Sequence, residues 1–557
     1  MCLVKFTIPT LKKHSQESSP RDEYRHLSLA SLNHRNPPQV CYTPCMKHIA
    51  RSALIIAVFF GLEKMLGFVR NVLIAQAFNL SSELDAFNAA NNIPDLIFAL
   101  ISGGALAMAF IPVLSEYRET KNKTEMWGLF SQVTNAVFLV TIIFSLFVSL
   151  SAAQLVSWEI GIAPGFTSSQ QNLVTELMRL NLIATILFSL GGLAIAGLQS
   201  QQHFLIPALA PAMYDIGSLF GILILAPEQG YQLGPITLPA YNMGVYGLVY
   251  GVIIGAALFL LIQVPALIKF GFRWSPKLNL KDPGVLKVLR LMGPRVLTVF
   301  FIQFVFLIQD NLASRLPTGS ITALVYGWLF MQLPESLIGT ALGTALLPTL
   351  SEQIINDETN KFRATLEKTI RVIIGLTLPI AVILAINIGP LIQILGFDSA
   401  GTELVVWTVR AYLVGLVGHS LLEVAARSFY AQHNAKTPLL ASGLTMAAFV
   451  LLAIPLSRRL GAPGIGLANS LAFSAEALLL FILLYRTMPF FPRLKGTLFR
   501  ALAACISGAG LSLLLKNMVG TPTSTLANLG VTSGILLLSG GIVLPWLLPE
   551  IKDLLNI

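Results

Sequence analysis

The stretch RSALIIAVFFGLEKMLGFVRNVLIAQAF, residues 51–78, decides the fold of this chain. It is long and apolar enough to cross ~30 Å of hydrocarbon as a helix, for which about 20 residues suffice. Glu63, Lys64 and Arg70 nevertheless lie inside it. Ionised side chains are costly at this depth and occur mainly where they face a bundle interior or a wet cavity. The stretch therefore predicts a membrane helix that lines a path for a charged substrate.

The composition of the whole chain also indicates a membrane environment. Of the 557 residues, 55% are hydrophobic and 11% are charged, which excludes an ordinary soluble protein. The net charge of +10 comes from short basic loops, so it predicts a positive-inside topology and no nucleic-acid partner. The sequence contains no paired-cysteine, P-loop or H-E-x-x-H motif. We therefore expect no enzymatic activity, no cofactor and no bound metal.

Apolar windows predict an all-α polytopic membrane protein with about 14 transmembrane helices. Basic residues concentrate in every second loop, at 118–123, 269–287, 361–368 and 493–495, and this places both termini in the cytosol. Arg458 and Arg459 are the exception. The predicted spans are 52–78, 86–112, 129–152, 174–198, 204–226, 242–268, 288–313, 321–349, 367–395, 404–430, 438–457, 464–486, 498–518 and 525–547.

An internal duplication divides these spans. IPDLIFALISGGALAMAFIPVLSE (Ile93–Glu116) parallels LPESLIGTALGTALLPTLSE (Leu333–Glu352), and QHFLIPAL from Gln202 parallels QHNAKTPLL from Gln432. Offsets of about 230 residues imply two parallel six-helix repeats, since an even number of spans returns the chain to the same side. The predicted domains are an N-lobe of helices 1–6 (50–280), a C-lobe of helices 7–12 (281–490) and two C-terminal helices (491–557).

Residues 1–49 are polar and contain no apolar segment of the signal-peptide type. We interpret them as a disordered cytosolic tail. The alternative is an upstream start codon, with Met46 as the true first residue.

Polar residues recur at helical spacing in the first two spans. Asp85, Asn88, Asn92 and Asp95 follow the pattern i, i+3, i+7, i+10 and form one polar stripe on an apolar helix. In the first span Lys64 and Arg70 share a polar face about Gly67. Two such faces predict a hydrated cavity. An ion pair of Arg70 or Lys64 with Asp85 or Asp95, which would only tie the helices together, is the alternative.

The second half contributes further candidates. Asp310 lies on one face of the seventh span and Arg295 near its cytoplasmic end. Glu423 and Arg427 are spaced i, i+4 in the tenth span, which favours an intrahelical pair as much as a substrate contact. Asp215 and Glu476 are lone acids in apolar runs and are either neutral, hydrogen-bonded side chains or proton or cation sites.

Several segments resemble one transporter family. EKMLGFVRNVLIAQAFNLSSELDAFNAANNIPDLIFALISGGALAMAFIPVLSEY (63–117), MGPRVL (292–297), GTALLPTLS (343–351) and FYAQHNAKTP (429–438) resemble the lipid II flippase family (MurJ, or MviN) of the multidrug/oligosaccharidyl-lipid/polysaccharide exporter superfamily. The resemblance covers the chain after residue 46. It implies fourteen helices in two lobes around a central cavity, with the last pair forming a lipid-facing groove.

The resemblance also implies roles for single positions. Lys64 and Arg70 match basic cavity positions of the family, and Asp85 matches an acid at the outer start of the second helix. The family often has Arg where this chain has Phe98 and Leu329, and an acid where it has Gly103. Arg295 and Arg427 are the candidates to restore the missing positive charge.

The expected function is a flippase in the bacterial cytoplasmic (inner) membrane. The implied substrate is lipid II, an anionic lipid-linked glycan for peptidoglycan synthesis, which crosses from the cytosolic to the outer leaflet by alternating access. Membrane lipid is an expected partner, and wall-synthesis proteins are possible ones. The alternatives are a flippase for another lipid-linked oligosaccharide, a cation-coupled drug exporter that depends on cavity acids, or a membrane scaffold that transports nothing.

Overall fold

The structure is a computed structural model that describes residues 43–101, 104–489, 492–520 and 524–555. These residues are almost entirely helical, because a helix satisfies its backbone N–H and C=O groups internally where lipid offers no partners. Strands β1 (Gln232–Leu233) and β2 (Ile236–Thr237) form a short antiparallel pair in one loop. The helices are α1 (Thr43–Phe78), α2 (Ser82–Ile101), α3 (Gly104–Thr120), α4 (Lys123–Ser157), α5 (Ser168–Ser200), α6 (Leu205–Phe220), α7 (Val245–Leu261), α8 (Val264–Lys269), α9 (Pro283–Ala313), α10 (Ser320–Glu335), α11 (Ala341–Ile355), α12 (Thr359–Gln393), α13 (Ser399–Leu413), α14 (Leu416–Ala431), α15 (Lys436–Leu460), α16 (Ala462–Thr487), α17 (Lys495–Val519) and α18 (Thr525–Leu555).

The prediction of an all-α polytopic membrane protein is confirmed. Among the described residues, 11 helices are long and apolar enough to span a membrane, or up to 12 if α13 and α14, bent by 41°, form one span. The predicted spans 52–78 and 86–112 are not in this set; they fall on α1 and on α2 with α3, which carry the charges noted above. The count of 14 stays a prediction. Helix α1 begins at Thr43, inside the predicted tail, and residues 1–42 lie outside the described residues.

Helices of both sequence repeats contain proline. Pro94 and Pro112 lie in α2 and α3, and Pro334 and Pro348 lie in α10 and α11. In the second repeat Pro334 is followed by a π-helical turn at Ser336–Thr340. Proline removes a backbone donor and crowds the preceding turn, which is a usual cause of such irregular turns.

The second repeated motif forms the same turn twice. After α5, the Gln202 N–H donates to the Gln199 carbonyl and the His203 N–H to the Leu198 carbonyl. After α14, His433 and Asn434 make the equivalent bonds. These are Schellman turns, which need a residue of positive φ; Gln202 (φ 58°) and His433 (φ 57°) supply it. The two turns therefore align Gln202 with His433. The alignment of the two sequence motifs pairs Gln202 with Gln432 and so differs by one residue.

The turns between spans gather at two ends of the bundle. At the α1–α2 end the turns near residues 79–81, 158–167, 314–319 and 394–398 contact one another or the adjoining helix ends. At the α3–α4 end the same holds for those near 120–122, 201–204 and 270–282. The turn near 432–435 is assigned to the α3–α4 end because α13 and α14 lead away from residue 398. At the α1–α2 end, buried residues of both predicted lobes, including Ile162, Ala313, Ile321 and Phe397, share one apolar core.

At the α3–α4 end the apolar cores are separate. One joins α3, α4 and α5 with the first turns of α9, and the other joins α11, α12, α14 and α16. The start of α9, which the sequence assigns to the C-lobe, therefore packs against helices of the N-lobe, through Val285, Val288 and Met292.

Helices α17 and α18 pack on each other and on α12. Asn387 of α12 donates to the Ser512 hydroxyl of α17 (3.1 Å), and the hydroxyls of Ser512 and Ser539 of α18 are 2.8 Å apart. Near the start of α17, Arg500 pairs with the buried Glu550 of α18. Polar contacts thus fix this pair along the length of α12.

Candidate transport cavity

A cavity of about 370 Å³ lies inside the bundle between α1, α2, α6, α7 and α10. A second cavity of about 290 Å³ adjoins it, since both are lined by Asn91, Asp95, Phe188, Tyr214 and Val252. The two together are called the central cavity below. The hydrated space predicted from the polar faces of the first two spans therefore has a counterpart in the structure.

Arg70 lies on the wall of the central cavity. Its Nη1 atom is 2.7 Å from Oδ1 of Asp215 on α6, and its guanidinium carbon lies 5.0 Å from the ring centroid of Tyr214. The side chain of Arg70 is 18% exposed and that of Asp215 is 3% exposed. A guanidinium has five N–H donors, so one carboxylate contact leaves donors that can face the cavity.

The local sequence of α1 creates this arrangement. A Cβ built on Gly67, one turn before Arg70, would lie 3.7 Å from both carboxylate oxygens of Asp215. That distance is an ordinary van der Waals contact, so the Asp215 carboxylate lies close to this turn of α1, where Arg70 reaches it. The alternative interpretation, an ion pair of Arg70 with Asp85 or Asp95, is wrong, because Arg70 pairs with Asp215.

Lys64 is not among the residues that line the central cavity. Its Nζ is 3.4 Å from Oε2 of Glu63, and its side chain is 54% exposed. Six residues separate it from Arg70, which is about 9 Å along a helix axis. Glu63, Lys64, Arg70 and Asp215 together are formally neutral.

Asp95 and Asn88 line the central cavity, as the stripe on the second span predicts. Asn88 donates from Nδ2 to the Thr322 hydroxyl at 3.0 Å. Asp95 is exposed, and its carboxylate makes no hydrogen bond or ion pair with any residue that the structure describes. Asp95 is thus an acid of the cavity wall that remains available to a ligand.

Asp85 lies elsewhere, buried at the α1–α2 end. Its Oδ2 accepts from the Gly319 N–H (2.6 Å), and its Oδ1 accepts from the N–H and the hydroxyl of Thr322 (2.8 and 2.7 Å). An anionic acceptor at a helix N-terminus pairs backbone donors that lack intrahelical partners. Asp85 of α2 therefore caps α10, and these three contacts hold the two helices together.

Asn92 and Asp310 also join the two halves. The Asn92 amide donates to Oδ2 of Asp310 on α9 at 2.8 Å, and Asp310 is buried. Tyr326 of α10 donates to the Asn71 carbonyl of α1 at 2.8 Å. The predicted stripe thus has two roles that overlap at Asn88: Asn88 and Asp95 line the cavity, and Asp85, Asn88 and Asn92 contact the second half of the chain.

The candidates of the tenth span pair with each other. Arg427 donates through Nη1 to the Glu423 carboxylate and carbonyl, and through Nη2 to the Thr344 hydroxyl at 3.3 Å. The intrahelical pair, one of the two predicted possibilities, is therefore present. Arg295 lies on α9, but its side chain lies outside the described residues.

Asp215 belongs to this site, and the sequence pattern did not place it there. Its only signal was an isolated acid in an apolar run, and its partner lies 145 positions earlier. Phe98 and Leu329, the apolar residues at positions where the resembling family often has arginine, both line the central cavity.

Comparison with solved structures identifies the class of this fold. It superposes on a lipid II flippase MurJ in an inward closed conformation with a TM-score of 0.70, 21% identity, and coverage of 89% of this chain and 100% of that chain. A multidrug resistance MATE family transporter in an inward-facing conformation gives a TM-score of 0.64 at 12% identity, covering 78% and 98%. Fold and cavity define a multi-span membrane protein with the helical fold of these solved structures.

Comparison of sequences then identifies the family. A family model described as lipid II flippase MurJ matches residues 74–530. The lipid II flippase MurJ of Burkholderia cenocepacia is 30% identical over 450 residues, 79% of this chain and 83% of its own length. A probable lipid II flippase MurJ of Vibrio cholerae is 27% identical with the same coverage. The chain belongs to the lipid II flippase MurJ family.

Proposed function

We propose that this protein carries lipid II from the cytosolic to the outer leaflet of the bacterial cytoplasmic membrane. Membership of the lipid II flippase family supports the substrate. The observation that carries the proposal is the position of Arg70, whose guanidinium lies at the wall of the central cavity and is held by one carboxylate, Asp215.

The headgroup binds by exchange of ion-pair partners. A diphosphate offers more oxygens and more charge than one carboxylate, so Arg70 makes charge-assisted hydrogen bonds to it that its contact with Asp215 does not provide. Lys64, exposed and on the same helix, is the second cation. The polyprenyl tail stays in lipid, where each CH2 avoids the cost of about 0.8 kcal/mol for exposure to water.

Transport proceeds by rocking of an N-lobe (50–280) against a C-lobe (281–490), with 491–557 as a lipid-facing pair. The contacts of Asp85, Asn92 and Tyr326 close the bundle at the α1–α2 end, whereas the apolar cores at the α3–α4 end are separate. Opening towards the outer leaflet requires those polar contacts to break. Asp85, Asn92 and Asp310 therefore act as a seal, and Arg70, Lys64, Asn88 and Asp95 act on substrate.

Both termini lie in the cytosol in this proposal. Two predicted cytosolic loops that are remote in sequence, around Lys123 and Arg273, meet at the α3–α4 end, as a positive-inside topology requires. The state described then has its closed end towards the outside.

The test is complementation of a strain depleted of its lipid II flippase. Wild type and Lys361→Gln are expected to restore growth, whereas Arg70→Gln is not. Lys361 is a matched control because it is an exposed, ion-paired cation outside the cavity. Membrane levels of each variant, measured by immunoblot, separate lost transport from lost folding. Growth supported by Arg70→Gln at normal membrane level would refute the assignment.

Asp95 favours a second candidate, a cation-coupled exporter of the same superfamily. Its carboxylate lies on the cavity wall and has no ion pair among the residues that the structure describes, and such an exporter needs an acid of this kind. A chain with that function does not restore growth of a strain depleted of its lipid II flippase, even as wild type. Growth supported by wild type in the complementation assay therefore distinguishes the candidates.

A further inference from the structure

A second concave site lies at the α3–α4 end, away from the central cavity. It has a volume of about 600 Å³ and is lined by residues of 117–132, around the start of α4, and of 271–282, the segment after α8. This site is called the basic pocket below. None of the residues considered above for transport lines it.

Four cations line the basic pocket: Lys121, Lys123, Arg273 and Lys277. Lys121 pairs with Glu125 at 3.5 Å. The side chains of Lys123, Arg273 and Lys277 make no hydrogen bond or ion pair within the part of the chain that the structure describes. The other acid of the lining, Asp282, accepts from the backbone of Gly284 and Val285 as the cap of α9. Four cations against two acids give the lining a formal net charge of +2, and three of the cations have no direct ion pair among the described residues.

Hydrogen bonds and a ring contact hold the segment 271–282 against α4, and none of these contacts involves an acidic side chain. Asn135 of α4 donates from Nδ2 to the carbonyls of Ser275 (2.7 Å) and Lys277 (2.9 Å), and its Oδ1 accepts from Nε1 of Trp274 (2.9 Å). The ring of Phe272 packs against the ring of Trp127, with centroids 5.4 Å apart. The segment 271–282 is therefore fixed over α4, and the like charges are held close by the fold.

The same segment presents apolar side chains to the surroundings. Trp274 is 64% exposed, Leu278 44% and Leu280 53%. Aromatic and apolar residues interleaved with Lys and Arg, at the point where membrane spans begin and end, are typical of a segment that lies in the lipid headgroup region. A pocket for a soluble anion has no need of these side chains.

We propose that the basic pocket binds the phosphate headgroup of an anionic phospholipid of the cytosolic leaflet. Lys123, Arg273 and Lys277 contact the phosphate, and Trp274, Leu278 and Leu280 lie against the acyl chains. Anionic lipids of the cytosolic leaflet attract basic segments of this kind. The proposal rests on the cytosolic position of the α3–α4 end and not on the transported substrate.

The experiment measures lipid binding by the full chain in detergent. Dioctanoylphosphatidylglycerol, dioctanoylphosphatidylcholine and inorganic phosphate are titrated separately onto labelled protein, with Kd read by thermophoresis. Wild type is expected to bind the phosphatidylglycerol saturably and the other two at least 10-fold more weakly. The variant Lys123→Gln/Arg273→Gln/Lys277→Gln is expected to lose at least 10-fold in affinity, with its Tm unchanged.

Two control variants test whether binding depends on the basic pocket itself. Lys361→Gln/Lys436→Gln/Lys552→Gln removes the same charge outside the pocket and is expected to keep wild-type affinity. Arg70→Gln, in the central cavity, is also expected to keep it, so failure of the proposed transport function leaves this result unaffected. An equal loss in the control triple variant would show a net-charge effect and overturn the proposal. Binding of inorganic phosphate as tight as that of phosphatidylglycerol would also overturn the proposal. The proposal would equally fail if undecaprenyl diphosphate displaced the phospholipid from wild type but not from Arg70→Gln.

Discussion

At the α1–α2 end the two halves of the chain share one apolar core and buried polar contacts, whereas at the α3–α4 end there are two separate apolar cores and exposed basic residues. Asp85, Asn92 and Asp310 make the contacts of the first end. Lys123, Arg273 and Lys277 lie at the second. The two ends therefore differ in whether the two halves share one core and buried polar contacts.

The largest expected effect comes from Asp85→Ala. It leaves the N–H groups of Gly319 and Thr322 without their acceptor in a buried site, so we expect a loss of about 3 kcal/mol of stability. Hydrogen exchange is expected to accelerate in 158–166 and 314–322 but not in 270–282. Thermal unfolding and exchange measured by mass spectrometry test both expectations.

Asp282→Ala is the matched change at the α3–α4 end. Asp282 caps its own helix α9, so we expect a loss of about 1 kcal/mol and unchanged exchange at 158–166 and 314–322. Equal acceleration at the α1–α2 end in both variants would remove the distinction between the two ends.

An intermediate effect is expected for Asn92→Leu. The Asp310 carboxylate loses the donor 2.8 Å away while it stays buried, and we expect a loss of about 2 kcal/mol, measured by thermal unfolding. The double variant Asn92→Leu/Asp310→Leu should recover part of it, because both polar partners are then gone. No recovery would mean that the two side chains are not coupled.

The smallest effects are expected for exposed ion pairs, one at each end. Arg315→Ala removes the pair with Glu159, and Lys287→Ala removes the pair with Glu116. Exposed pairs contribute about 0–1 kcal/mol and are screened by salt. We therefore expect both variants to unfold within about 1 kcal/mol of wild type, at low salt and at high salt alike. A larger loss of stability in only one of the two variants would show that surface charge stabilises that end of the bundle.

Much of the architecture was predictable because lipid leaves few alternatives. Long apolar runs become helices, and a charged residue such as Arg70 within one must face a cavity or a partner. The repeated QH motif indicated an internal duplication, and the structure adds that both copies form the same turn, with Gln202 at the position of His433. The partner of Arg70 was not predictable, because Asp215 lies on a different helix and helical spacing relates only residues of the same helix.

The sequence by itself determined the solvent of this protein, the helical class, the internal repeat and the charge of Arg70 in the first helix. Tertiary structure alone decided what each polar residue does. Asp85 and Asp95 are the same residue type on one predicted stripe, yet Asp85 is buried against three donors of α10 and Asp95 is exposed in the central cavity. Hydrogen-bond partners come from other helices, and only the packing of those helices fixes which carboxylate joins the halves and which one remains open to a ligand.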